Sequence, residues 1–194
     1  MVGVCGATQA WGTMQRRRGI VARSQARGGL VHTDAGQAFG KMPVNFGLLG
    51  VDMMTIAANK IGGPSGIGAL VVRDGLPLEP LIHGGGQELR RRAGTENLVG
   101  IAGFAAVARE KHVEAKALQD LLEDALSDAV VFGKDTQRLA NTTCFAHAGM
   151  SAETLLMNFD LDGIAVSSGS ACSSGKVTRS HVLQAMAVSP ELSR

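Results

Sequence analysis

The chain has 194 residues, 45% of them hydrophobic and 19% charged, with 19 basic against 17 acidic side chains and a formal net charge of +2. That length supports one ordinary domain or two small ones, and the hydrophobic share excludes a disordered chain. Three cysteines are too few for a disulfide scaffold, no apolar run reaches membrane-spanning length, and so balanced a charge gives no reason to expect nucleic acid.

Acidic residues begin only at Asp34, behind Arg16, Arg17, Arg18, Arg23 and Arg27. Residues 1–27 therefore read as an atypical Arg-rich, disordered segment, although an acid-free, Arg-rich start also resembles a transit peptide. The rest reads as a cytoplasmic chain, because three cysteines without a pairing pattern fit a reducing compartment. Glycine, at 26 residues, is used well above average, so several backbone positions should need positive φ or close approach. The chain has no tyrosine and one tryptophan, which argues against an aromatic binding platform.

Gly29–Thr33 is a short β-prone run ending at Asp34, and Val51–Ala57 is a second. After Asn59 and Lys60 comes the turn-rich stretch Gly62-Gly63-Pro64-Ser65-Gly66, then a third run, Gly68–Arg73, closed by Asp74-Gly75. Short apolar runs between helix-compatible stretches predict a layered α/β fold. From about Gly100 to Ser127 the period becomes helical, with Leu118, Leu121, Leu122, Ala125 and Leu126 on one stripe between Lys116, Asp120, Glu123 and Asp124. One long amphipathic helix bridging to a second unit is expected there. A β-prone run at Asn141–Ala146, a helix capped by Ser151 and a short strand at Gly163–Val166 follow.

Four features carry chemistry. Lys60 leaves a strand-like run just before a glycine-rich turn, where α/β proteins bind ligands. Partial desolvation there would favour a neutral amine able to form a Schiff base; a solvated loop lysine is the plain alternative. Asp34, at another strand end, offers a carboxylate to a cationic ring nitrogen or, more simply, a turn cap. Cys172, in S-S-G-S-A-C-S-S-G, sits among small residues suited to an accessible reactive thiol, whereas Cys144 looks like a core thiol. His83–Glu88 (H-G-G-G-Q-E) and Arg90–Asn97 (R-R-R-A-G-T-E-N) combine permissive backbone with donors suited to phosphate, or form a solvated surface loop. Without a C-x-x-C or a Cys/His zinc spacing, a metal held by this chain alone is not expected.

These runs, V-H-T-D-A-G-Q-A-F-G-K, N-K-I-G-G-P-S-G-I-G-A-L, I-H-G-G-G-Q-E, A-G-T-E-N and S-S-G-S-A-C-S-S-G with S-H-V-L-Q-A-M, together resemble the cysteine desulfurases of the NifS/IscS type. The similarity runs from about Gly28 to the C-terminus, in the family's order. It implies an α/β, aminotransferase-like fold in part: an incomplete large-domain sheet over 28–125 and part of a small domain over 126–194. It implies pyridoxal 5'-phosphate held on Lys60, Asp34 against the pyridinium nitrogen, Gln37 donating to the phenolate oxygen, and Asn59 beside the lysine. Thr95 would reach the cofactor phosphate of a second subunit, making a homodimer part of the site. Cys172 would take sulfur from L-cysteine, leaving L-alanine and a persulfide for an iron–sulfur scaffold or another acceptor protein, and would ligate a cluster transiently in that complex.

The departures are specific. Where the family has Ser-x-His-Lys, this chain has Ala57-Ala58-Asn59-Lys60, which loses a hydroxyl donor and keeps one amide. The Arg-rich segment stands where the family has a long N-terminal portion, and the chain stops before the family's substrate-carboxylate arginine. On this reading the chain is an internal fragment with unpaired apolar sheet edges and weak stability alone. A non-catalytic remnant or interaction module, and a selenocysteine lyase, are the competing readings.

Overall fold

The computed structural model describes residues 1–7, 12, 17–110, 115–168 and 180–193. They form two compact units, one of Met1–Gly6 with Gln15–His112 and one of Ala7–Met14 with Val113–Arg194.

The first unit is built on a four-stranded sheet in the order β1-β2-β3-β4, formed by Val2–Cys5, Val31–Asp34, Met53–Ala57 and Gly68–Val72. β1, β2 and β3 are mutually parallel, and β4 returns antiparallel to β3. Each parallel pair is joined by a crossover, as parallel strands require. The helix α1 (Arg17–Gln25) links β1 to β2, and α2 (Phe46–Leu49) links β2 to β3. α2 is capped by the Asn45 side chain, which accepts from the Leu48 amide, and ends at Gly50 with φ of 66°. Val31 is fully buried and packs with Val21 of α1 and with Ala35, Val51 and Met54, so this Arg-rich helix docks through Val21, and Gln25 adds a hydrogen bond to the Gly50 carbonyl.

Within residues 1–27 two elements stand against the expectation of disorder, while residues 8–11 and 13–16 lie outside the described residues. Val2–Cys5 pairs with Val31–Asp34 residue for residue, and Arg17–Gln25 is helical. The strand is four residues long and contains Gly3, too short and too weak a pattern to stand out without its partner.

Asp52 locks the start of β2 to the start of β3. It is 3% exposed; Oδ2 accepts from the Val31 amide at 2.8 Å, and Oδ1 accepts from Arg73 Nε at 2.8 Å. The Val31 hydrogen bond first, and Arg73 with it, hold the carboxyl below the usual range against the opposing effect of burial. A depressed carboxyl contributes stability that is complete above its unfolded value, about 3.9, and is lost as the pH falls through the folded one. Asp52→Ala should therefore cost about 2–3 kcal/mol at pH 7, since it strands the Val31 amide. Urea melts of both proteins should show that difference shrinking below about pH 4.

α3 (Leu98–Arg109) begins at Asn97, whose side chain accepts from the Gly100 amide. It ends at Arg109 because Glu110 turns extended, with ψ of 145°. Within the second unit, α4 runs over Ala115–Ala125. Two helices therefore stand where one long helix was expected. The buried face of α4 is also reversed from the apolar stripe. Leu118, Leu121 and Leu122 are exposed, while Gln119 and Glu123 are buried. The polar side wins because partners await it: Gln119 Nε2 donates to the Leu139 and Thr142 carbonyls, and Glu123 accepts from Arg138 and Thr143.

β5 (Ala129–Val131) and β6 (Phe145–His147) pair antiparallel, and α5 (Ala152–Leu161) packs on them through an edge-to-face contact of Phe145 with Phe159 at 6.3 Å. The Ser151 hydroxyl accepts from the Thr154 amide, giving the expected cap. Gly163–Val166 is not a strand. The chain leaves α5 through Gly163 at φ of 74°, and the Ile164 amide returns to the Phe159 carbonyl, an ordinary helix-ending motif. α6 covers His181–Ala185 behind a Ser180 cap. Among the described residues, no helix is long and apolar enough to cross a membrane.

Candidate active site

Because β1, β2 and β3 run in one direction, their C-terminal ends share one edge of the sheet. Asp34 is the last residue of β2, paired on one side with Cys5 and on the other with Thr55. β3 ends at Ala57 and passes directly into a 3-10 turn, Ala58–Ile61, which carries Lys60. The acid and the lysine therefore leave adjacent parallel strands at the same edge, the place where open α/β sheets receive ligands.

The turn carrying Lys60 is anchored from below. Ala58 is fully buried and Ile61 nearly so, and both pack against Phe104 of α3. Gly62 closes the turn at φ of 83°, with its amide returning to the Ala58 carbonyl. Gly63 matters for its lack of a side chain: a Cβ there would lie 2.9 Å from Val107 and 3.0 Å from Ala58. Alanine at 58 is therefore a packing residue facing the core, while Asn59 and Lys60 are exposed above it. Among the described residues no side chain covers Lys60, where burial was expected.

Asp34 Oδ1 accepts from the Gly36 amide at 2.9 Å, so the carboxylate does cap the turn after β2. Its second oxygen has no hydrogen bond among the described residues and can receive a cationic donor. Gln37 follows in the same turn, half-buried, with its Oε1 accepting from Lys41 Nζ at 2.9 Å. Lys41 is a residue the sequence motif contained but to which it gave no role. Burial first, and the nearby Lys60 charge second, hold its amine below the usual lysine range. An amine, a free carboxylate oxygen and an amide donor at one sheet edge suit an aldehyde-bearing cofactor with a protonated ring nitrogen and a phenolate.

Other expected residues are not joined to this group. Thr95 is exposed, in a loop held by the Gly94 amide donating to Gln87 Oε1, and no hydrogen bond links it to Lys60 or Asp34 among the described residues. Arg92 spends one donor on the Ala93 carbonyl. The glycines at 84–86 line an open groove of about 290 Å³ with Ile82, His83 and Arg90. Beside it Glu88, Leu89 and Arg90 hold φ of 50°, 55° and 64°, a left-handed run unusual for residues with side chains. Cys172 lies outside the described residues. Cys5 is exposed at the end of β1, and Cys144 is half-buried, with burial raising its thiol. Among the described residues no group of three His, Cys, Asp or Glu could hold a metal ion.

Residues 1–190 match the family model described as Aminotransferase class-V. The chain belongs to that family. Class-V aminotransferases are pyridoxal-phosphate proteins of a mixed α/β fold, and the match starting at residue 1 also corrects the view that the Arg-rich segment is foreign to it. The chain is 44% identical over 172 residues to the cysteine desulfurase IscS of Dictyoglomus turgidum, covering 83% of this chain and 44% of that protein. It is 40% identical over 196 residues to a cysteine desulfurase of Cereibacter sphaeroides, covering 97% of this chain and 51% of the relative. A solved NifS-like protein from Rickettsia africae superposes with a TM-score of 0.83 at 34% identity, over 98% of this chain and 53% of that one. This class-V chain thus spans about half the length of the curated relatives it matches.

Proposed function

We propose that this chain carries the cofactor edge of a cysteine desulfurase, which removes sulfur from L-cysteine to give L-alanine. The observation that carries the reading is the placement of Asp34 and Lys60 at the C-terminal ends of two adjacent parallel strands. Lys60 holds pyridoxal 5'-phosphate and moves protons at its ε-amine. The free oxygen of Asp34 keeps a proton on the ring nitrogen, Gln37 Nε2 donates to the phenolate oxygen, and the Asn59 amide lies beside the lysine as a further donor. When bound, the cofactor supplies an electron sink for bonds broken at the substrate's carbons.

The sulfur step belongs to Cys172. Its thiolate bonds to the substrate sulfur as the carbon–sulfur bond breaks; the electron pair stays with carbon, which takes a proton and becomes the methyl group of alanine. The sum, L-cysteine plus thiol giving L-alanine plus persulfide, needs no outside oxidant or reductant. The persulfide then passes to an iron–sulfur scaffold or another acceptor protein, in a complex where Cys172 also ligates a cluster. We place this in the cytoplasm, with residues 28–125 as cofactor-binding large-domain sequence and 126–194 as small-domain sequence bearing the thiol. A homodimer fits the exposed apolar residues around Thr95: Leu89 is 86% exposed and Val99 84%, an apolar surface that a second copy would cover while Thr95 reaches its cofactor phosphate.

Loaded with pyridoxal phosphate and given L-cysteine plus a thiol reductant, the chain should release alanine and sulfide. Cys172→Ser should abolish sulfide release while leaving the visible cofactor band unchanged. Equal sulfide release from the serine variant would contradict the role of that thiol.

A further inference from the structure

Gln37 and Lys41 stand four residues apart in the turn that follows β2, and the contact between them has a fixed polarity. Lys41 Nζ donates to Gln37 Oε1 at 2.9 Å. An ammonium has hydrogens to give and no lone pair to receive one, so the end of the amide that meets it has to be oxygen. The usual ambiguity between the two ends of a glutamine is removed by the chemistry of its neighbour. Both hydrogens of Nε2 are left pointing away from Lys41.

The backbone places this clamp beside the cofactor lysine. Gly40 adopts φ of 77°, and a Cβ there would come 2.6 Å from Ile61 Cγ2, so only glycine lets the segment lie so close to the turn of Lys60. Phe39 packs with Ile61 and Phe104 in the same cluster and meets Phe104 edge to face at 5.9 Å. The charged groups that these segments bring to the sheet edge are Asp34, Lys41 and Lys60. Lys41 feels the second of those lysines: burial and that repulsion both disfavour its charge. A half-buried ammonium beside another cation is a poor choice for stability alone, and among the described residues its side-chain hydrogen-bonding partner is the Gln37 amide.

We propose that Lys41 is a positioning residue for the cofactor: by tying down the oxygen of Gln37 it presents Nε2 as an obligate donor to the phenolate oxygen of pyridoxal phosphate and so favours the deprotonated phenolate. This rests on the cofactor reading above and adds to it a residue that acts through another.

The test is a spectroscopic pH titration of the cofactor-loaded chain, with Lys41→Met, Lys41→Arg, Gln37→Leu and the Lys41→Met/Gln37→Leu pair. Loss of the donor destabilises the phenolate, so Lys41→Met should raise the midpoint of the visible band by about half a pH unit or more, a threefold change in proton affinity. Lys41→Arg, which still only donates, should restore the wild-type midpoint. In the Gln37→Leu background the shift caused by Lys41→Met should largely vanish. Thermal melts of the unloaded proteins show whether each variant folds, and Lys41→Met is expected to melt no lower than wild type. An unchanged midpoint in Lys41→Met overturns the proposal, as does an equal shift with leucine at 37, which would mean that the charge acts directly. Absence of any borohydride-sensitive band in the wild-type chain would instead overturn the cofactor reading beneath it.

Discussion

Replacing Lys60 with alanine is expected to remove the visible band of bound pyridoxal phosphate and to lower alanine formation from L-cysteine by a factor of about 10²–10⁴. The fold should not suffer. Lys60 is exposed, and the 3-10 turn that carries it is held by Ala58, Ile61 and the left-handed Gly62 rather than by the lysine. Alanine is compatible with a helical turn, so the melting temperature of the unloaded variant should match that of wild type. Loss of the band together with loss of stability would mean that the lysine is a structural member of the turn, and the functional reading would lose its support. Added primary amines provide a further check, since they replace the missing ε-amine only if the defect is chemical.

Glu123→Gln is expected to be the most destabilising single change, by about 3–5 kcal/mol. The carboxylate and its partner Arg138 are 5% and 8% exposed, and they meet through two hydrogen bonds of 2.9 and 3.0 Å, with Thr143 donating a third at 2.9 Å. The Arg138 hydrogen bond is the chief cause of a carboxyl held below the usual range, with Thr143 adding to it and burial opposing it. Glutamine retains the shape but leaves the guanidinium charged and buried without an anion, which is why removing one partner costs more than the pair contributes. Because the folded carboxyl is depressed, this stabilisation is complete above the unfolded value, about 4.3, and is lost as the pH falls through the folded value. Chemical denaturation at pH 7 should show the deficit, and replacing both partners by apolar residues of similar volume should recover much of it.

The sheet that carries the site was legible where strands were apolar and bounded by turn residues. Val31–Asp34, Met53–Ala57 and Gly68–Val72 each fall within a run read from the sequence, because Asp34, Asn59 and Asp74-Gly75 mark the ends. Val2–Cys5 was not, since its pairing with β2, rather than its own pattern, makes it a strand. Gly163–Val166 erred the other way: β-prone residues without a neighbouring strand among the described residues stay unpaired. On α4 the apolar stripe pointed outward because the buried side is decided by Arg138, Thr143 and two carbonyls, partners a helical period cannot reveal.

The same limit applies to the candidate site. Lys60 and Asp34 could be picked out because each follows a strand-like run, and topology then brings those two ends together. Lys41 had no such mark. Its role depends on Gly40 meeting Ile61, a contact between positions far apart in the sequence. Cys172 is the reverse case, a thiol singled out by its small neighbours alone.

The most direct measurement is to reduce the pyridoxal-phosphate-loaded chain with borohydride and map the modified peptide by mass spectrometry. A phosphopyridoxyl group is expected on Lys60, with none on neighbouring Lys41 and none retained in Lys60→Ala. A label on Lys41, or one spread over the exposed lysines and unchanged in Lys60→Ala, would contradict this assignment.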